Sequence, residues 1–236
     1  MKNIILFTCL ALFMAIQTGH SQGTGQPAKE SGGSFKNGQK DGPWTETGID
    51  GTLSKGNYVT GKKEGLWTRW FADGSKRSEG EYKNDLKEGL WKGYYRDGNW
   101  NEGSYLHGVP SGVWTGWYKS GKKRTEGGYD AGFRKEGPWK EFYPDGSYNE
   151  GSYKNGEPSG TWTSWTADGK KKAEGMYNKN FRKEGPWKEY VEDGSWSEGN
   201  YVDGLREGTW TYRNERGEII DESEFQNDFK EEMLAR

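Results

Sequence analysis

Few residues in this chain are able to carry acid–base, metal or nucleophilic chemistry, and most of those recur. Beyond the first 21 residues there is one histidine, His107, and no cysteine. One imidazole without a thiolate cannot complete a zinc site or a Ser-His-Asp arrangement. His107 takes the place of a turn residue and reads as a solvated turn position. Glu79, Glu102, Glu126, Glu150, Glu174 and Glu198 return at a regular spacing. A catalytic acid needs one environment that shifts its pKa, whereas six equivalent copies point to pairing across strands. Asp97-Gly98-Asn99-Trp100-Asn101 sets oxygen side chains at alternate positions, as a calcium loop does. Glu102 then stands where such a loop requires glycine, and no glutamate closes it. The triplets Lys122-Lys123-Arg124 and Lys170-Lys171-Lys172 have acids nearby and read as solvated charge. The glycines are spread along the chain and never cluster ahead of a helix, so no phosphate-cradling loop is formed. The sequence therefore predicts no catalytic residue, no metal ligand and no cofactor.

The elements that would position a binding surface are unusual in composition. Leu, Ile, Val and Phe supply only 30 of 236 residues, below the roughly 20% that ordinarily warns of disorder. Disordered chains lack rings and carry high net charge. This one has 15% aromatics and a formal net charge of -2. Its core must be built from rings and glycine. The near-neutral balance of 34 basic and 36 acidic residues gives no electrostatic case for nucleic acid and no charge support for an anionic membrane.

The start of the chain reads as an address. Lys2 precedes an apolar run from Ile4 to Ile16, and small residues follow at Gly19 and Ser21. This is the pattern of a secretory signal peptide, residues 1–21, and predicts export. The run is shorter than the ~20 residues of a membrane span. Cys9 lies within it and lacks the small residue that a lipid-modified cysteine follows. Residues 22–34, rich in Gly, Ser, Gln and Pro, read as a flexible leader.

One repeat accounts for most of the remainder. Gly-x-Trp recurs with Trp44, Trp67, Trp91, Trp114, Trp139, Trp162, Trp187 and Trp210, at intervals of 23 to 25 residues. Six residues after each Trp comes a turn pair, such as Asp73-Gly74 or Asp97-Gly98, and then Glu-Gly-x-Tyr. Self-similarity at this period marks a repeat array, and Asp-Gly between short aromatic segments marks hairpins. A two-residue turn at Asp73-Gly74 sets Trp67 opposite Gly80, Gly65 opposite Tyr82 and Trp70 opposite Arg77. The third repeat, one residue shorter, needs a three-residue loop, which sets Trp91 opposite Gly103 and Tyr94 opposite Trp100. Loop length is thus expected to alternate while Trp114, Trp139, Trp162 and Trp187 face Gly127, Gly151, Gly175 and Gly199. A ring laid over glycine shields bare main chain, so each Trp is expected to cover the glycine across its own Asp-Gly hairpin. The expected fold is all-β: an open, single-layer antiparallel sheet of about eight tandem hairpins over residues 35–225. A tail, 226–236, is open to a short capping helix begun at Asn227.

The run Gly-x-Trp-x-x-aromatic-x-x-Asp-Gly, followed by Glu-Gly-x-Tyr-x-x-Gly, resembles the MORN repeat family, and most closely its bacterial variant. Eight copies between Gly33 and Phe225 agree in spacing as well as type. Thr47 and Arg213 replace the second aromatic in the end copies, and Ser223 replaces a glycine. The resemblance implies an open sheet of successive hairpins and a scaffold or interaction role without catalysis. Some members are linked to membranes, some to self-association, and some bacterial ones carry an antitoxin label, which suits an exported chain poorly.

The remaining signal is a second row of rings, placed by strand alternation on the face opposite the repeat tryptophans: Trp70, Tyr94, Trp100, Trp117, Phe142, Tyr148, Trp165, Tyr190 and Trp196. It reads both as sheet stabilisation and as a candidate ligand or partner surface. The expected function is a non-enzymatic exported scaffold that binds another protein or itself. The alternative is a module for cell-surface glycan, since exposed Trp and Tyr stack on sugar rings.

Overall fold

The computed structural model describes residues 31–230. The signal peptide and most of the leader, 1–30, lie outside the described residues, as do 231–236. Eighteen strands form one sheet. They are β1 (Gly32–Lys36), β2 (Gln39–Thr47), β3 (Leu53–Val59), β4 (Lys62–Trp70), β5 (Lys76–Lys83) and β6 (Leu86–Tyr94). Next come β7 (Trp100–Leu106), β8 (Val109–Trp117), β9 (Lys123–Tyr129), β10 (Lys135–Phe142), β11 (Tyr148–Lys154) and β12 (Glu157–Trp165). The last six are β13 (Lys171–Tyr177), β14 (Lys183–Tyr190), β15 (Trp196–Val202), β16 (Leu205–Arg213), β17 (Ile219–Gln226) and β18 (Phe229–Lys230). Each strand pairs antiparallel with the next in the chain. The all-β class and open tandem-hairpin sheet are as expected. The array is wider by a strand at each end, since β1 begins at Gly32 inside the expected leader. No helix starts at Asn227. Asn227 and Asp228 both take positive φ and turn β17 into β18.

The Trp–Gly register holds: Trp67 faces Gly80, Trp91 faces Gly103 and Trp114 faces Gly127. So do Trp139 and Gly151, Trp162 and Gly175, and Trp187 and Gly199. The alternating loop length is corrected. Both loop kinds close alike: Phe71 N–H donates to the Ser75 carbonyl at 2.8 Å, and Tyr95 N–H to that of Asn99 at 2.9 Å. Each has three central residues ending in a left-handed glycine, Gly74 or Gly98. A two-residue type I′ turn would force the aspartate to positive φ as well. Here Asp73 instead accepts from Ser75 N–H at 2.8 Å. The extra residue of every second repeat becomes a β-bulge. Trp70 therefore faces Lys76, with Arg77 bulged. Likewise Trp117 faces Lys123 and Trp165 faces Lys171, with Arg124 and Lys172 bulged.

Type I′ turns do occur, on the opposite side of the sheet. Asn37-Gly38, Thr60-Gly61, His107-Gly108 and Asn155-Gly156 all carry two positive φ values. His107 thus sits in a turn, and its side chain is exposed. Two connections differ. Asp130 to Arg134 and Asn178 to Arg182 close as three-residue loops in which Phe133 (φ 62°) and Phe181 (φ 59°) hold the left-handed position. The 25-residue intervals contain such a loop as well as a bulge.

Candidate functional site

The two faces of the sheet differ. One carries the repeat tryptophans, all buried, with the tyrosines between them. The ring lies over glycine as expected, but over a different glycine. A Cβ added at Gly56 would meet Trp67 at 2.2 Å, and one at Gly80 would meet Trp91 at 2.3 Å. Each Trp from Trp44 to Trp187 stands between two glycines and covers the one on the strand before it; Trp210 covers Gly199 in the same way and faces Ser223 on its other side. The cause is the glycine of Gly-x-Trp. Gly80 faces Trp91 while Glu81 faces Glu88, so Gly89 and Leu90 bulge out of β6, with Gly89 at φ 64°. The Trp91 indole N–H then donates to the Glu81 carbonyl at 3.0 Å. Trp44, Trp67, Trp139, Trp187 and Trp210 make the equivalent bond. Nothing lies within 4 Å of a Cβ built on Gly65, so Tyr82 faces that glycine without covering it. Gly65 serves the bulge.

The rings interlock in a herringbone from Phe35 and Trp44 through to Phe225. Neighbours meet edge to face: Trp44–Tyr58 at 5.8 Å, Tyr58–Trp67 at 5.3 Å, Tyr82–Trp91 at 5.1 Å and Tyr201–Trp210 at 5.2 Å. Such pairs add about 0.5–1.5 kcal/mol beyond area burial. A cation lies four residues before most tryptophans and caps two rings at once. Lys87 Nζ sits 4.4 Å from Trp91 and 4.6 Å from Tyr105. Lys40, Lys135 and Lys183 repeat this, and Arg206 sits over Trp210. In the fourth and sixth repeats Pro110 and Pro158 replace the cation. There Phe133 packs at 5.7 Å from Trp114, and Phe181 at 6.0 Å from Tyr153. This cation row and its two phenylalanine substitutes were not among the expected features, although the lysine spacing carried the signal.

Three carboxylates complete the row. Glu46 accepts from Tyr58 Oη at 2.6 Å, Lys63 at 2.8 Å and Lys40 at 3.0 Å. Burial works to raise its pKa, but the bonds from Lys63, Tyr58 and Lys40 outweigh burial and hold it at about 2. Glu189 pairs with Lys183, Tyr201 and Arg206. Burial opposes its ionisation, yet these partners lower its pKa. Glu141 accepts from Lys135 and Tyr153. All three tie a lysine to a tyrosine hydroxyl of the ring row.

The opposite face holds the second ring row where strand alternation placed it. Trp100 and Trp117 stack at 5.2 Å and 14°, Tyr148 and Trp165 at 6.0 Å and 16°, and Phe142 meets Tyr148 at 5.6 Å. Lys188 lies 3.6 Å over Trp196, and Lys76 lies 5.8 Å from Tyr94. Trp70, Tyr94, Trp100, Trp117, Phe142, Tyr148, Trp165, Tyr190 and Trp196 are all half-buried, so they form a surface that is both stacked and accessible. The recurrent glutamates on this face meet cations or hydroxyls. Glu150 takes Lys140 at 2.9 Å and the Trp165 indole at 3.0 Å, Glu102 lies 3.5 Å from Lys92, and Glu79 accepts from Tyr94 Oη at 2.8 Å. Among the described residues no cluster of three His, Cys, Asp or Glu side chains is arranged to hold a metal ion.

Residues 63–84 and 135–155 match the family model described as the MORN repeat variant. No curated protein is significantly similar to the chain. Among solved structures, BamB from Moraxella catarrhalis is similar over 83% of this chain and 76% of its own, at 11% identity and a TM-score of 0.19. The computationally designed Ika8 protein is similar over 82% and 86%, at 9% identity and a TM-score of 0.17.

Proposed function

We propose that this chain, two stretches of which match the MORN repeat variant, is a non-enzymatic, exported scaffold that binds a protein partner or a second copy of itself through the stacked ring face. The observation that supports this reading is the half-buried second aromatic row, Trp100–Trp117 and Tyr148–Trp165, interleaved with lysine–glutamate pairs. Half-exposed rings leave apolar area to bury, and the lysine–glutamate pairs between them suit a polar rim. The buried herringbone on the other face is spent on holding the sheet together.

Amine cross-linking with mass spectrometry tests the reading, because the two faces carry different lysines. Cross-links to a partner or second copy are expected through Lys92, Lys140 and Lys188. They should weaken in Trp117→Ala and Trp165→Ala. A chain that sediments as a monomer and gives no intermolecular cross-link on this face would overturn the scaffold role. Turnover abolished by changing one non-repeated residue would overturn the absence of catalysis.

A further inference from the structure

Beside the herringbone, on the same face, runs a second row of residues directly opposed from strand to strand. In β12 to β16 it reads Ser164, Ala173, Glu189, Ser197 and Tyr212. In the second repeat the equivalent positions are Ser54, Arg69 and Ser78. There the Arg69 guanidinium reaches across to Ser54 Oγ at 3.2 Å, and the hollow left is about 20 Å³. Around Ser164 no long side chain crosses the row. Glu189 is drawn aside by Lys183 and Arg206, and a groove of about 660 Å³ opens. That lies within the ~300–1,000 Å³ of ordinary ligand sites. In a protein made of copies, a hollow filled in one repeat and open in another marks a feature the fold itself does not require.

The groove has a definite chemistry. Tyr177 and Trp187 of the ring ridge form one wall, Tyr143 and Val191 the rim, and serine hydroxyls with Ala173 the floor. Lys172, Lys183, Arg206 and Arg213 line it against the carboxylates of Glu189, which holds Lys183 and Arg206, and of Glu198, which holds Arg213, an excess of two positive charges on a chain of net charge -2. Rings beside hydroxyl acceptors fit a pyranose, which presents a C–H face and a hydroxyl rim. The surplus cations fit carboxylates on that sugar. An extended peptide would instead seek a free strand edge, and β12 to β16 are paired on both sides. We propose that this groove binds a short acidic oligosaccharide. Its floor, Ser164, Ala173 and Ser197, is on the herringbone face, while Trp165, Tyr190 and Trp196 of the scaffold surface also border it; Ser164→Arg leaves those rings in place, so its effect is read separately from that of Trp117→Ala on the scaffold role.

The experiment titrates the full chain with penta-galacturonate, followed by calorimetry and tryptophan fluorescence, with maltopentaose and penta-glutamate as controls. Saturable binding that weakens with salt is expected for the galacturonate alone. Ser164→Arg places in the sixth repeat the residue that fills this row in the second. It should lower affinity about tenfold or more despite adding a positive charge, with circular dichroism unchanged. If that variant misfolds, Lys172→Gln carries the test through a weaker, less salt-sensitive isotherm. Absence of binding would overturn the proposal, as would equal binding of maltopentaose or penta-glutamate. Undiminished affinity in a folded Ser164→Arg protein, or in Lys172→Gln, would place the sugar elsewhere and overturn it too.

Discussion

Trp91 faces glycines on both neighbouring strands, Gly80 on β5 and Gly103 on β7, and the two are not equivalent. A Cβ at Gly80 would lie 2.3 Å from indole Cδ2 and 2.4 Å from Cε2. Ordinary contact begins near 3.4 Å, so the ring must lift by about 1 Å. Trp91 is buried, its N–H is fixed to the Glu81 carbonyl at 3.0 Å, and Tyr82 sits at 5.1 Å. Lifting the ring therefore strains a hydrogen bond and an edge-to-face pair as well as the packing. Overpacking costs typically 1–3 kcal/mol and the ring pair about 0.5–1.5 kcal/mol, so Gly80→Ala is expected to destabilise by about 2–4 kcal/mol. With the indole removed by Trp91→Ala, the same substitution sits in ordinary strand backbone. It should then be neutral or stabilising by about 0.5–1 kcal/mol.

A double-mutant cycle in urea, read by circular dichroism, should thus give a Trp91–Gly80 coupling of about 2–5 kcal/mol. The parallel cycle for Trp91–Gly103 should give a coupling near zero. Gly103→Ala is itself destabilising, but through Trp114, which a Cβ there would meet at 2.1 Å. A larger coupling to Gly103 than to Gly80 would mean that the ring covers the other glycine.

Glu46 has a folded-state pKa of about 2 against an ordinary 4.5. Its stabilisation is therefore complete above 4.5 and is lost as pH falls towards 2, so wild type should lose its urea midpoint across that window more steeply than Glu46→Gln does. Tyr94 and Tyr105 are pushed up from 10.0 to about 12, chiefly by burial. Their contribution is full below pH 10 and is lost as pH rises towards 12, and ultraviolet titration should show phenolate appearing together with unfolding. Phe133 holds a left-handed backbone at φ 62° while its ring packs on Tyr105, Trp114 and Tyr129. Phe133→Gly should therefore be less destabilising than Phe133→Ala by about 1 kcal/mol in thermal or urea melts, and equal costs would mean that the backbone there is unstrained.

The sequence made the pairing register legible because two constraints act at once: glycine and tryptophan share a period, and the turn residues fix where each hairpin folds back. The faces followed from alternation alone. What escaped has a common cause, which is that bulges are invisible to a counting rule. One extra residue between Trp67 and Tyr82 is absorbed equally well by a shorter turn or by a bulge at Arg77. The choice rests on where positive φ is tolerated, and glycine occupies only one of the two positions a type I′ turn needs. The bulge at Gly89-Leu90 likewise decides which glycine lies beneath Trp91. The groove depends on one position in the row, Arg69 in the second repeat and Ser164 in the sixth. A repeat alignment treats such a position as a variable surface residue.

These corrections move the unit of stability by half a repeat. The sequence reading took the Asp-Gly hairpin, β4 with β5, as the building block. The indole of Trp67 covers Gly56 of β3 and donates to the carbonyl of Asn57, so the packed unit is β3 with β4, joined by the type I′ turn at Thr60-Gly61. The Asp-Gly loops then connect finished units, and the edge-to-face contact between Trp67 and Tyr82 at 6.1 Å joins them. Within a unit the closure differs by position. Lys63 lies 4.0 Å over Trp67, whereas Trp114 and Trp162, in the proline-bearing units, have buried indole N–H groups with no partner, and those units take a phenylalanine from the following loop, Phe133 on Trp114 and Phe181 on Tyr153. A buried donor left unpaired costs about 1–3 kcal/mol, so these two units are held more by ring contact and less by polar bonds than their neighbours. Closure accordingly alternates from repeat to repeat between the third and the seventh. The open groove lies where the sixth repeat, proline-bearing, meets the seventh, which returns to lysine and glutamate.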